Sequence, residues 1–235
     1  MGENKKILCV LHQAHSTTAR IGRLLREQGY EIIKCRHALG EPLPSNCQDY
    51  AGIVVFGGPM SANDTHLDFI KNEIDWIASG KPLEVPFLGV CLGAQLLARA
   101  MGGTVHPHPE GVKEIGYHKI NMTTDGQDLL GLTDTHVFQW HSEGVQLGES
   151  GQTLAYSQHF DNQMFVAGKH IWGVQFHLEM FAELMERWYA RAKPDLNIAG
   201  THDVHLSREG SREWLGPNED LLKQVVHEWL HSESK

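Results

Sequence analysis

The order of patterns along these 235 residues predicts an α/β fold, a mostly parallel sheet with helices on both faces and an antiparallel flank. Three observations carry this. Up to about residue 103, short apolar runs alternate with segments of helical periodicity. Within residues 86–101, an apolar run passes through Gly-Val-Cys-Leu-Gly directly into a helical pattern. After residue 104 the periodicity changes to a series of short strands.

Taken in order, residues 6–12 form the first buried strand, and Ser16 is placed to cap a helix through about Gln28 that Gly29 ends. Strands follow at 30–35 and 52–56. Residues 67–78 carry Leu67, Ile70, Ile74 and Ile77 at the spacing of one helix face. The strand and helix around Cys91 close at Gly102 and Gly103. Short strands are expected at 115–121, 137–140, 153–157, 163–167 and 171–176, then an amphipathic helix over 181–188 with its aromatic residues in the core. Residues 194–217 are polar and loop-like. A helix over 218–230 has an apolar stripe of Leu221, Leu222, Val225, Val226, Trp229 and Leu230, expected to dock on the parent core. The chain thus divides into a main domain, 1–192, and a C-terminal extension, 193–235.

Gly89 and Gly93 flank Cys91 two residues away on either side. That is the pattern of a nucleophile elbow, a strained turn that lifts one side chain off a strand end, with cysteine in the place of serine. Glycine removes the Cβ atoms that would collide where strand and helix nearly touch. Cys91 would sit at a helix N-terminus, which favours a thiolate, and the next N–H, that of Leu92, could donate to an oxyanion. A buried structural cysteine is the bland alternative, and the motif alone does not decide. His177 and Glu179 end the strand at 171–176. In extended chain, residues two apart project to one side, so the carboxylate can orient an imidazole base for the thiol. An exposed polar strand end is the competing explanation, made weaker by the elbow. Residues 52–61, Gly-Ile-Val-Val-Phe-Gly-Gly-Pro-Met-Ser, form a buried strand running into a glycine-rich loop. Loops at this end of a parallel strand bind ligands, and an N–H near Gly58, in the stretch from Gly57 to Met60, could be a second oxyanion donor. Phosphate cradling is the rival role, but no phosphate-loop pattern supports it.

Composition narrows the function classes. Hydrophobic content of 41% and charged content of 21% are ordinary for a soluble globular protein, and a net charge of −9 argues against a nucleic-acid partner. No apolar run reaches membrane-span length, and Met-Gly-Glu-Asn-Lys-Lys lacks a signal-peptide core. The 4 cysteines, Cys9, Cys35, Cys47 and Cys91, show no metal or redox spacing, and Cys9 sits in a core strand. Among the 16 histidines the nearest clusters, His106 with His108 and His202 with His205, match no ligand pattern and are expected as scattered surface residues. No metal or cofactor is expected, and the compartment that fits is the reducing cytoplasm.

Phe-Gly-Gly-Pro-Met-Ser, Gly-Val-Cys-Leu-Gly-Ala-Gln and Gly-Val-Gln-Phe-His-Leu-Glu, in that order, resemble the class I (triad) glutamine amidotransferases, especially the glutaminase domain of GMP synthetases and its stand-alone relatives. The likeness covers about residues 6–188. It implies a flavodoxin-like doubly wound sheet and hydrolysis of the glutamine side-chain amide by Cys91, His177 and Glu179. By the same resemblance Gln95, Gly58 and the Ser142–Glu143 stretch hold the glutamine. One position departs, since relatives usually have proline where Leu178 stands.

No synthetase signature is present, so an ammonia acceptor would belong to another chain, a synthetase partner. Two rival hypotheses share the fold: a hydrolase of γ-glutamyl compounds using the same triad, and a non-catalytic regulatory module. The intact Cys, His and Glu argue against the last.

Overall fold

The computed structural model describes residues 5–231. The outer ends of the two expected segments, 1–192 and 193–235, and the first four residues of the Met-Gly-Glu-Asn-Lys-Lys start lie outside the described residues. Strands β1 (Lys6–Val10), β2 (Glu31–Cys35), β3 (Gly52–Val55) and β4 (Phe87–Val90) alternate with helices α1 (Ala19–Glu27), α2 (Asp68–Ala78) and α3 (Leu92–Ala100). Then come β5 (Thr104–Pro107), β6 (Glu114–Met122), α4 (Thr124–Leu130), β7 (Asp134–His141), β8 (Glu143–Gln146), β9 (Gln152–Ser157), β10 (Met164–Ala167) and β11 (Ile171–Val174). Helices α5 (Ala182–Ala192) and α6 (Val204–His231) follow.

Nine strands form one sheet in the order β2-β1-β3-β4-β11-β10-β9-β6-β7, and β5 pairs with β8 in a separate ribbon. The β2-β1-β3-β4-β11 half is parallel and the remainder antiparallel. Strands β3 and β4 are buried throughout, which is why they are unbroken apolar runs. The pleat divides the core in two. Ile7 and Cys9 face a layer with Ile21 and Leu25 of α1 and Val225 and Trp229 of α6. Leu8 and Val10 face the opposite layer, with Ile70 and Ile77 of α2 and Leu96 and Leu97 of α3. The fold is therefore the doubly wound α/β architecture with an antiparallel flank.

Several local expectations are corrected. Thr18, not Ser16, precedes α1, and it makes no side-chain cap. The early N–H of Arg20 instead donates to the Glu179 backbone carbonyl at 3.3 Å, so tertiary structure satisfies the helix start. Helix α4 has no counterpart among the expected elements, since only its Gly126 and Leu130 are buried and no apolar stripe marks it. Its ends are nonetheless signalled by Thr123, whose Oγ1 accepts from the Gly126 N–H, and by left-handed Gly131. The ribbon strands β5 and β8 have four residues each and bury only one apiece, Val105 and Val145, which leaves no alternation to read.

The polar stretch 194–217 is not all loop, because α6 starts at Val204 and runs through Pro217. Its first half buries Ser207 and Ser211, and a Cβ on Gly210 would come within 2.7 Å of the Tyr117 ring. Small residues let this half lie close against β6, so hydrophobic periodicity does not reveal it. Pro217 removes a helical hydrogen bond, and the Arg20 guanidinium braces the same turn. It donates to the Leu215 carbonyl at 3.2 Å and pairs with Glu219.

Candidate functional site

Cys91 occupies the turn between β4 and α3 with φ 51° and ψ −108°, one of only three positive-φ non-glycine residues among those described. The flanking glycines make this turn sterically feasible. A Cβ on Gly89 would lie 2.6 Å from the Gly93 backbone, and one on Gly93 would lie 2.0 Å from the Val55 carbonyl oxygen. The Cys91 N–H donates to the Val174 carbonyl at 2.8 Å, which ties the turn to the end of β11. Cys91 is 6% exposed, so it lies at the base of a cleft and not on an open surface turn.

His177 and Glu179 come together, though not along an extended strand as expected. Strand β11 ends at Val174, and both residues lie in the turn after it. The His177 N–H donates to the Phe138 carbonyl at 2.8 Å, and the Met180 N–H folds back to the His177 carbonyl at 3.3 Å. Across that turn His177 Nδ1 and Glu179 Oε1 are 2.7 Å apart. Arg20 steadies the turn by donating to the Met180 carbonyl at 3.1 Å. Leu178, where proline is usual, is 2% exposed in the core layer of α1 and α6. It anchors the turn by burial where proline would act by fixing φ.

The Nε2 edge of His177 is buried without a nitrogen or oxygen partner, and the Cys91 thiol lies beside the ring. Burial opposes the charged imidazole, but Glu179 and Cys91 outweigh it and push His177 up to about 10. The Cys91 thiol also approaches the Trp140 carbonyl at 3.9 Å, and Trp188 of α5 sets its ring edge-on to His177 with centroids 4.8 Å apart. Trp188 is half-buried, so this aromatic residue of α5 covers the site and is not simply core.

A cleft of about 460 Å³ opens over Cys91, lined by Gly57, Gly58, His177, Glu179 and Trp140. Trp188, Arg187 and Arg191 of α5 form its wall. Glycine at 57 keeps room there, since a Cβ would stand 3.2 Å from His177 Cε1 and 3.8 Å from Cys91 Sγ. The wall residues were not singled out in the sequence. Arg187, Trp188 and Arg191 share one helix face by their spacing, and that was the available signal.

The remaining expected residues lie toward the α2–α3 layer. Leu92 is buried in it, and Met60 packs against it. Gln95 Nε2 donates to the Glu143 carbonyl at 3.1 Å and to Gln175 Oε1 at 3.2 Å. The Glu143 carboxylate accepts from Ser61 Oγ at 2.6 Å and Asn63 Nδ2 at 3.3 Å, while Ser142 is exposed. Gln95 and Glu143 are thus brought together, and neither is among the residues lining the cleft over Cys91. His202 is not a plain surface histidine, because its ring stacks on His118 at 4.3 Å. Among the described residues no group of three or more His, Cys, Asp or Glu could hold a metal ion.

Known proteins resemble this chain over most of its length. The chain is 29% identical over 198 residues to the glutamine amidotransferase-like protein YfeJ of Salmonella typhimurium, covering 80% of this chain and 81% of that protein. It is 30% identical over 184 residues to a GMP synthase [glutamine-hydrolyzing] of Thermosynechococcus vestitus, covering 76% of this chain but only 32% of the synthase. The crystal structure of a glutamine amidotransferase from Thermotoga maritima superposes with a TM-score of 0.85 at 28% identity, covering 97% of this chain and 99% of that one. The family model of class-I glutamine amidotransferases matches residues 10–192, and the chain belongs to that family.

Proposed function

We propose that this chain hydrolyses the side-chain amide of glutamine through a thioester on Cys91. The observation that carries the reading is a cysteine in a strained turn at a helix N-terminus beside a histidine held 2.7 Å from a buried carboxylate. The Cys91 thiolate attacks the δ-carbonyl carbon, and the N–H groups of Leu92 and of the 57–60 loop receive the developing oxyanion. Protonated His177 gives its proton to the departing nitrogen as the C–N bond breaks and ammonia leaves. Neutral His177 then takes a proton from water, hydroxide attacks the thioester carbon, and the sulfur departs to leave glutamate. Glu179 holds the imidazole tautomer and stabilises its charged form. Gln95, Ser142 and Glu143 belong to the side that grips the glutamate moiety.

The amidotransferase domain, 1–192, would deliver ammonia to an acceptor on a synthetase partner chain, with 193–235 as its extension, in the cytoplasm. Support comes from the GMP synthase relatives, of whose length this chain spans about a third. The cleft favours a second reading. A volume of about 460 Å³ with Arg187 and Arg191 on its wall has room for a leaving group larger than ammonia that carries negative charge. A γ-glutamyl peptide, whose leaving amine is an amino acid, has that chemistry. Ammonia release from glutamine and amino-acid release from γ-glutamyl dipeptides, measured side by side, separate the two. Hydrolysis of neither by protein whose Cys91 is reduced overturns both.

A further inference from the structure

A buried histidine–carboxylate pair lies beneath the glycine loop beside Cys91, and the chemistry above does not use it. His12, just beyond β1, and Glu73, on α2, are 2% and 0% exposed. His12 Nε2 and Glu73 Oε2 are 2.9 Å apart, and His12 Nδ1 lies 3.2 Å from the Gly57 carbonyl oxygen. Both bonds come from one ring, so Glu73 fixes the orientation in which Nδ1–H donates to the loop. Burial disfavours the charged imidazole, yet Glu73 and the carbonyls of Gly57 and Phe56 outweigh it and raise His12 above its ordinary value. A fully buried pair is expensive to desolvate and is weak evidence for stability alone. Next along the loop, a Cβ on Gly58 would stand 3.0 Å from His12 Cβ and 3.0 Å from Leu92 Cδ2, so the loop is seated directly on this histidine.

We propose that His12 and Glu73 are positioning residues that hold the 57–58 peptide so that the Gly58 N–H faces the oxyanion. The peptide unit is planar and trans, so its C=O and N–H point in opposite directions. A carbonyl held down on His12 therefore turns the Gly58 N–H away from His12 and toward the cleft that Gly58 and Cys91 share. A glycine pair has the widest backbone freedom of any sequence, and without this bond the peptide could flip. Glu73 acts through His12, and neither residue touches the substrate.

This inference rests on the amide-hydrolysis reading. The test carries E73Q in every variant, since that change removes the buried charge and leaves His12 its Nδ1–H. H12A/E73Q and H12N/E73Q are compared with E73Q and the parent chain, each after a thermal melt confirms folding. Turnover of glutamine and of a γ-glutamyl dipeptide is read as kcat and KM, and alkylation of Cys91 by iodoacetamide is timed. Alkylation displaces iodide at carbon and builds no oxyanion, so it reports the thiol alone. Expected results are kcat about 10- to 100-fold lower in H12A/E73Q with little change in KM, and alkylation at the parent rate. H12N/E73Q, whose amide can take the place of Nδ1–H, recovers most of the loss. Should the alanine variant fail to fold, the asparagine variant still decides, because removing its donor geometry with H12L/E73Q gives the matched contrast. Parent-like kcat without the donor, or alkylation slowed in step with kcat, overturns the positioning role and leaves the hydrolysis reading intact. A parent chain inactive on both substrates overturns that reading, and this inference with it.

Discussion

All four thiols of this protein are buried, and their surroundings differ. Desolvation pushes Cys9 up to about 12 and Cys35 up to about 11, and it raises Cys47 as well. Cys91 alone pairs a helix N-terminus with a neighbouring imidazole. A glutamine-like electrophile is therefore expected to modify Cys91 well before the other three, as read by peptide mass mapping, and C91A is expected to abolish hydrolysis while the fold persists. Equal labelling of all four thiols would refute the assignment. His177 gives a pH prediction with a definite sign. Its folded value, about 10, lies above the ordinary 6.5, so its stabilising contribution is complete below about pH 6.5 and is lost as the pH climbs toward 10. The stability gap between the parent and H177N, from urea melts at pH 6 and pH 10, is expected to shrink at the higher pH. For turnover, H177N should lower kcat on the order of 10³-fold, with E179Q lowering it less, because the histidine moves protons in both half-reactions.

At the scale of elements, the sharp turns explain which glycines matter. G93A would drive a Cβ to 2.0 Å from the Val55 carbonyl oxygen, a backbone atom that cannot step aside. A loss of about 3 kcal/mol or more in chemical denaturation is expected, against little for a glycine with open space such as Gly216. L178P removes a buried leucine; a loss of about 1–3 kcal/mol with both flanking functional side chains retained is expected. Strands such as β3 and β4 were legible because burial on both faces makes them continuously apolar. The first half of α6 was not, since it packs through Ser207, Gly210 and Ser211, and a pattern of large apolar residues is blind to contact made by small ones. The turn holding His177 and Glu179 was misjudged for a related reason. The His177–Glu179 contact expected of extended chain is made across a turn instead, which the bond from the His177 N–H to the Phe138 carbonyl holds in place.

Across the whole molecule, the parallel order of β1, β3, β4 and β11 brings the His12, Gly57–Gly58, Cys91 and His177 segments together at the carboxyl ends of those strands, so strand-end motifs far apart in sequence could be joined by inspection. The cleft wall was not legible, because Trp140 of β7 and Trp188 of α5, far apart in sequence, meet through tertiary packing alone, with ring centroids 5.7 Å apart. Docking on the core makes α6 a structural part of the fold. Leu221, Leu222, Val225, Val226 and Trp229 all lie in the layer that also holds Ile21, Leu25 and Val174, and Gly52 leaves just the space that the Trp229 ring fills. Asn218 Nδ2 further donates to the His136 carbonyl at 2.7 Å on β7. A helix kept only for a partner would leave those side chains outside the core. Deleting residues 218–235 should therefore abolish cooperative folding instead of sparing it. W229A should cost about 3–5 kcal/mol. W229F should cost clearly less, since phenylalanine retains much of the ring and removes a buried indole N–H that has no partner. Urea melts of the two point variants and of the truncated chain measure all three. A truncated chain with a parent-like cooperative melt would show that α6 rests on the core without supporting it.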